Sequence, residues 1–167
     1  MTNSTTATGE TTFHSLYQAH AGDVFRFARY LTGSDDAAAD ITSETFLRAW
    51  VGRDAIRVET AKAYLLTIAR NLARDRGRAA SRVSDADVPE VPVAPNAEAR
   101  VDLNRTLAAV RALSIEYREP LVLAATGVGY EEIGRMLGLS VSTVKIRVHR
   151  ARLKLGTALT APMEKLP

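Results

Sequence analysis

The chain has 167 residues, 46% hydrophobic and 6% aromatic, with no cysteine and a formal net charge of +3. That length holds one ordinary domain or two small ones around a mainly aliphatic core. The absence of cysteine excludes a disulfide framework and thiolate metal sites, and no apolar run is long enough to insert into a membrane.

Residues 1–12 are rich in threonine and small polar side chains. They lack the basic and apolar blocks of a signal peptide and read as a disordered tail. Phe13, Leu16, Tyr17, His20, Val24, Phe27, Ala28 and Leu31 then follow helical spacing, with Gly22 a candidate break. Gly33 stops this element. Ser34 or Asp35 caps the next, whose early acids suit the helix dipole. This second helix runs through Ile41, Thr45, Phe46 and Ala49 to about Val51, and a loop with Gly52 follows. A third helix starts near Thr60 and carries Tyr64, Leu65, Ile68 and Leu72 on one side. Its end is basic, with Arg70, Arg74, Arg76, Arg78 and Arg82.

The composition then changes. Residues 84–96 are acidic and dotted with Pro89, Pro92 and Pro95, which remove amide donors and block helix. The stretch reads as an extended linker between two domains; the alternative is a loop packed on one larger domain. Beyond it, Val101, Leu103, Leu107, Val110 and Leu113 predict a helix from about Ala97 to Ala112. Ser114 caps another to about Ala125, in which Pro120 predicts a local distortion. Residues 126–129 form a turn. Ile133, Met136 and Leu137 then share one face of a short helix that Gly138 ends. Ser140 caps a last helix with Val144, Val148, Ala151 and Leu155 as its buried stripe. Lys145, Arg147, Arg150, Arg152 and Lys154 lie largely off that stripe. The pair is a helix-turn-helix whose second helix suits a DNA major groove. The fold class is therefore all-α: two small helical domains joined by a flexible linker, the C-terminal one a helix-turn-helix.

This order resembles the extracytoplasmic-function (ECF) sigma factors of bacterial RNA polymerase. The resemblance rests on Phe13-xx-Leu16-Tyr17, the run from Asp40 to Trp50, the run from Tyr64 to Asp75, the run from Tyr117 to Leu123, and the helix-turn-helix. Many regulators share the last; the stretches Asp40 to Trp50 and Ile68 to Asp75, in that order and ahead of it, make the match specific. The resemblance implies a tail at 1–12, a region-2-like domain at 13–82 for polymerase binding and promoter melting, a linker at 83–100, and a region-4-like domain at 101–160. The family often has Gln at Ser43, Trp at Tyr64, Ser or Thr at Gly129, Ala at Gly134 and a small polar residue at Ile146.

Asp40, Glu44 and Arg48 recur at i, i+4 and i+8, and spacing alone favours a solvated face with ion pairs. The resemblance instead implies that they dock on the coiled coil of the polymerase β′ subunit. Arg70, Arg74, Arg76, Arg78 and Arg82 suit phosphates and Asn71 suits base edges. The resemblance implies that this helix and the loop before it read the promoter element nearest the start site and capture a flipped base. The loop at 52–60 is the candidate pocket wall, although no aromatic residue lies in it. In the last helix, Ser142, Thr143, Lys145, Ile146, His149 and Arg150 are the candidate base-contacting residues. Lys and Arg suit guanine, and Ile146 suits thymine methyl groups. Arg147, Arg152 and Lys154 read as phosphate clamps. The resemblance adds a contact of this domain with the flap of the β subunit, and an anti-sigma factor as restraining partner.

His14, His20 and His149 are scattered and suggest no metal site. No phosphate loop, nucleophile elbow or acid–base pair occurs, so neither an enzyme nor a cofactor is expected. The expectation is a cytoplasmic initiation factor acting on promoter DNA with core RNA polymerase. The rivals are a stand-alone helix-turn-helix regulator, which would not need the run from Asp40 to Trp50, and an adaptor module held by another helical protein.

Overall fold

The computed structural model of the protein describes residues 4–53, 56–80 and 97–160. They form α1 (Ser4–Thr32), α2 (Asp35–Val51), a short 3-10 turn (Val58–Thr60), α3 (Ala61–Ala80), α4 (Ala97–Ala112), α5 (Ile115–Ala125), α6 (Tyr130–Leu137) and α7 (Val141–Thr160). No strand occurs among the described residues. The chain divides into two compact units, Met1–Ala79 and Ala80–Pro167.

In the first unit, α1 packs on α2. Val24, Phe27 and Ala28 of α1 are buried with Ala38, Ile41, Thr45, Phe46 and Ala49 of α2 and with Leu65, Leu66 and Ala69 of α3. Each fully buried large side chain contributes about 1.5–3 kcal/mol. The buried Thr42 and Thr45 hydroxyls donate to the carbonyls of Ala38 and Ile41, so neither is left unsatisfied. An aromatic cluster closes one end: Phe13 lies edge-on to Trp50 at 4.9 Å, and Tyr17 edge-on to Phe46 at 4.7 Å. The turn between α1 and α2 follows the expected chemistry. Gly33 takes φ 74°, and the Ser34 side chain accepts from the Ala37 amide at 3.2 Å.

Two expectations change here. α1 runs through Gly22 without a break, because its buried face continues on both sides in Phe27 and Val24 and in the half-buried Leu16. It also starts at Ser4, inside the stretch read as a disordered tail. Once a helix is nucleated, each added residue gains a backbone hydrogen bond, so the helix can extend through a polar stretch.

In the second unit, α7 is the central element, and α4, α5 and α6 all pack against it. Val144, Val148 and Ala151 are fully buried, as the stripe required, while Leu155 is half-buried. Ile133 is fully buried; Met136 and Leu137 are half-buried. Gly138 sits at φ 67°, and its amide bonds the Gly134 carbonyl. Ser140 caps α7 by accepting from the Thr143 amide at 3.2 Å. Arg118 ties α5 to the end of α4 by donating to the Arg111 and Leu113 carbonyls at 2.6 and 2.9 Å.

Three further points bear on the sequence reading. α5 stays continuous through Pro120. One amide donor is lost, and burial of the whole ring offsets it. Ser114 precedes α5, but its side chain makes no capping bond; its carbonyl accepts instead from Tyr117 and Arg118 at 3.0 Å. α4 spans Ala97–Ala112, the range its apolar spacing predicts, so residues 97–100 of the stretch given to the linker at 83–100 belong to this helix. Residues 81–96, with Arg82 and the three prolines, lie outside the described residues.

Candidate nucleic-acid interface

The outward face of α2 carries the Asp40, Glu44 and Arg48 stripe. Arg48 Nε donates to Glu44 Oε1 at 2.7 Å, and both side chains keep substantial exposure. Leu47 and Val51 lie beside this pair, 61% and 78% exposed. Two large aliphatics one turn apart on a solvated face contribute little to folding and leave an apolar strip flanked by charge. The sequence reading did not single them out. Their i, i+4 spacing on the polar side of the helix was the available signal.

On α3, Asn71, Arg74, Arg76 and Arg78 are exposed and Arg70 is half-buried. At about 100° per residue, Arg70, Asn71, Arg74 and Arg78 share one side. Arg76 falls on the opposite side, in line with the buried Ala69 and Ala73. There it reaches back to α2, with Nη1 at 3.3 Å from Asp40 Oδ2. The structure therefore separates Arg76 from the other cations and joins it to the stripe on α2. Arg78 lies 3.8 Å from Asp75 within its own helix. Both pairs are exposed and hold their partners only weakly.

The described part of the loop at 52–60 is bordered by aromatic residues that flank it in sequence. The Arg53 guanidinium lies 4.4 Å over the Trp50 ring and donates to the Trp50 carbonyl at 3.0 Å. The Tyr64 hydroxyl stands so near Gly52 that an added Cβ would meet it at 3.0 Å. Residues 54 and 55 lie outside the described residues. Deeper in this unit, Asp23 bridges Lys62 and Arg26. Burial of Asp23 opposes its ionisation, but the hydrogen bonds from Lys62 and Arg26 outweigh this and lower its pKa. His20, beside them, is held below its ordinary value by burial and then by the Lys62 charge, with Asp23 opposing.

On α7, Ser142, Lys145, Ile146, His149, Arg150, Arg152 and Lys154 are exposed, while Thr143 and Arg147 are half-buried. Helical geometry sorts them. Ser142, Ile146, His149, Arg150 and Leu153 form the ridge opposite the buried Val144–Val148–Ala151 stripe, about 140–240° around the axis from Val144. Lys145 and Arg152 lie on one flank of that ridge, and Arg147 and Lys154 on the other. A helix in a major groove meets a phosphate strand on each side, so this distribution fits a DNA-facing helix with a charged border on both flanks. Lys145, expected among the base contacts, lies on a flank of α7, about 100° from Val144. Lys154 Nζ sits 5.6 Å from the Tyr117 ring centroid, so α5 helps to orient it. The Ser140 hydroxyl contacts those of Ser142 and Thr143 at 3.0 and 2.8 Å, which positions both at the start of the helix. Among the described residues no group of acids and histidines is arranged to hold a metal, and no helix is long and apolar enough to cross a membrane.

Comparison with known proteins follows the same division. Residues 16–83 match the family described as Sigma-70 region 2, and residues 103–155 match the family described as Sigma-70, region 4. The chain is 35% identical over 150 residues to the ECF RNA polymerase sigma factor SigE of Mycolicibacterium smegmatis, covering 84% of this chain and 58% of that protein. It is 37% identical over 139 residues to the ECF RNA polymerase sigma factor EcfG of Rhodopseudomonas palustris, covering 80% of this chain and 77% of the relative. Among solved structures it is similar to the sigma factor RpoE in complex with the anti-sigma factor NepR from Bartonella quintana. That match has a TM-score of 0.74 and 29% identity, over 92% of this chain and 99% of the other.

Proposed function

The chain belongs to the ECF sigma factors of the sigma-70 family, and we propose that it binds core RNA polymerase, directs it to a class of promoters and assists the opening of the DNA. The observation that supports this most is that the two matched regions fall in order on the two structural units. A stand-alone helix-turn-helix regulator needs only the second.

Each unit has its own task in this reading. The Glu44–Arg48 pair, with Leu47 and Val51 beside it, docks on the β′ coiled coil: charge orients the encounter and the aliphatics supply buried area. Asp40, tied to Arg76, borders the same surface. Arg70, Asn71, Arg74 and Arg78 face the promoter element nearest the start site, and the loop at 52–60 receives the unstacked base. In the second unit, the first half of the α7 ridge (Ser142, Ile146, His149 and Arg150) reads the upstream element near minus thirty-five, the flanks grip phosphates, and the unit also meets the β flap. The protein performs no bond chemistry; it supplies binding energy and position. It works in the cytoplasm, where its polymerase is. RpoE of Bartonella quintana is held by an anti-sigma factor, and a comparable partner is the restraint proposed here.

Run-off transcription with purified core polymerase on genomic fragments of the host tests the reading. Specific transcripts that require the protein, and that disappear with Glu44→Arg, are expected. The Glu44–Arg48 pair is exposed, so the variant should fold normally. Duplex binding by the protein alone, with no transcripts and no co-migration with core, would establish a stand-alone regulator instead.

A further inference from the structure

Ile146 stands on the outermost ridge of α7 and is 51% exposed. It lies about 200° around the axis from the fully buried Val144, as far from the core as a residue on this helix can be. Its neighbours on the ridge and flanks are polar or cationic: Ser142, Lys145, Arg147, His149 and Arg150. A helix that only gripped phosphates would place cations on this line. Ile146 makes no contribution to the core that would explain it. It sits in the first half of α7, the part of a recognition helix that reaches base edges.

The major-groove edges of the bases offer hydrogen-bond donors and acceptors and one apolar group, the C5-methyl of thymine. A branched aliphatic in the centre of a DNA-facing helix has that group as its one complementary target. We propose that Ile146 reads a pyrimidine C5-methyl group in the upstream promoter element. The contact distinguishes thymine from uracil, and by the same chemistry 5-methylcytosine from cytosine. Promoter choice is then sensitive to cytosine C5 methylation at that position. The inference rests on the sigma-factor reading, because it needs α7 in the groove of a promoter.

Leu153 supplies an internal control. It shares the ridge and is 60% exposed, but lies seven residues further along, about 10 Å beyond Ile146 and past the base-reading half of the helix. It is an exposed aliphatic without a methyl to read.

The test uses the full chain with core polymerase and a promoter defined by run-off transcription. Each thymine of the upstream element, on either strand, is replaced singly by deoxyuridine, which removes the methyl alone. One position should lose roughly fourfold in affinity, the worth of one buried methyl. At that position, a 5-methylcytosine·guanine pair should bind roughly fourfold better than cytosine·guanine. Both differences should vanish in Ile146→Ala and persist in Leu153→Ala. Ile146 is exposed and uninvolved in the core, so Ile146→Ala should unfold like the parent.

Specific transcripts with no methyl-sensitive position would overturn the inference and leave the sigma reading intact. So would methyl effects that Ile146→Ala leaves unchanged. Weakened binding to a protein partner with unaltered promoter preference would reassign Ile146 to a protein contact. Absence of any promoter-specific transcript would overturn the sigma reading and this inference together.

Discussion

Ser140→Ala tests whether one hydroxyl organises the start of α7. In the structure that oxygen accepts from the Thr143 amide at 3.2 Å and contacts the hydroxyls of Ser142 and Thr143. Alanine removes the acceptor and leaves an amide of the first turn dependent on water. Loss of such a cap costs about 1 kcal/mol, whereas glycine costs only a few tenths. For a domain of this size, about 1 kcal/mol lowers the midpoint by roughly 4–8 °C. The molecule offers a way to assign the shift. Its single tryptophan, Trp50, lies in α2 of the first unit, so tryptophan fluorescence follows that unit alone. Far-ultraviolet circular dichroism follows both. The expected result is a dichroism transition lowered by several degrees, an unmoved fluorescence transition, and a Ser140→Gly variant close to the parent. Promoter affinity should fall as well, because Ser142 and Thr143 lose their shared anchor. An unmoved dichroism profile, or a glycine variant as unstable as the alanine one, would refute the capping argument.

Two other outcomes follow from the geometry. Arg152→Ala, on one flank of α7, should weaken all promoters about equally and reduce the slope of log affinity against log salt by about one unit, measured by titration at several salt concentrations. An effect confined to particular base positions would move Arg152 into the base-reading set. His20 gives the first unit a pH dependence. Its folded pKa lies below the ordinary 6.5, so the unfolded chain binds the proton more readily. The associated stability is complete above 6.5 and is lost as pH falls from there toward the folded pKa. Asp23 acts in a lower window, below its ordinary 3.8, so the two separate. Denaturant unfolding followed by Trp50 fluorescence should show the loss in the parent and a flatter profile in His20→Gln. Identical profiles would assign the dependence to another group.

Much of the site was legible because its signals are local. Ser34 and Ser140 cap, Gly33 and Gly138 stop helices, and the Val144–Val148–Ala151 stripe is buried, all as spacing and residue chemistry demand. Asp40, Glu44 and Arg48 emerge on one exposed face for the same reason. Less legible were features set by neighbours. A run of arginines predicts a basic helix end but not which members share a side with the core. Only the packing of α3 turns Arg76 toward Asp40, away from Arg70, Arg74 and Arg78. The aliphatic pair Leu47 and Val51 reads as ordinary helix until the burial of Ile41, Thr45 and Ala49 shows which face is already used.

Sequence alone thus determined the all-α class, the order of the helices, their principal caps and the cationic character of α7. Those depend on period, backbone preference and charge, which a chain carries in its local order. Tertiary structure decided which of the named side chains act together. It also decided what glycine does at Gly134, where the family often carries alanine. There an added Cβ would lie 2.7 Å from the Leu139 carbonyl oxygen, a backbone atom that can move only with the turn. That approach exists because the chain reverses at Gly138 and returns Leu139 against α6. Contact between residues brought together by a turn is a property of the folded path, and no spacing rule along one helix contains it.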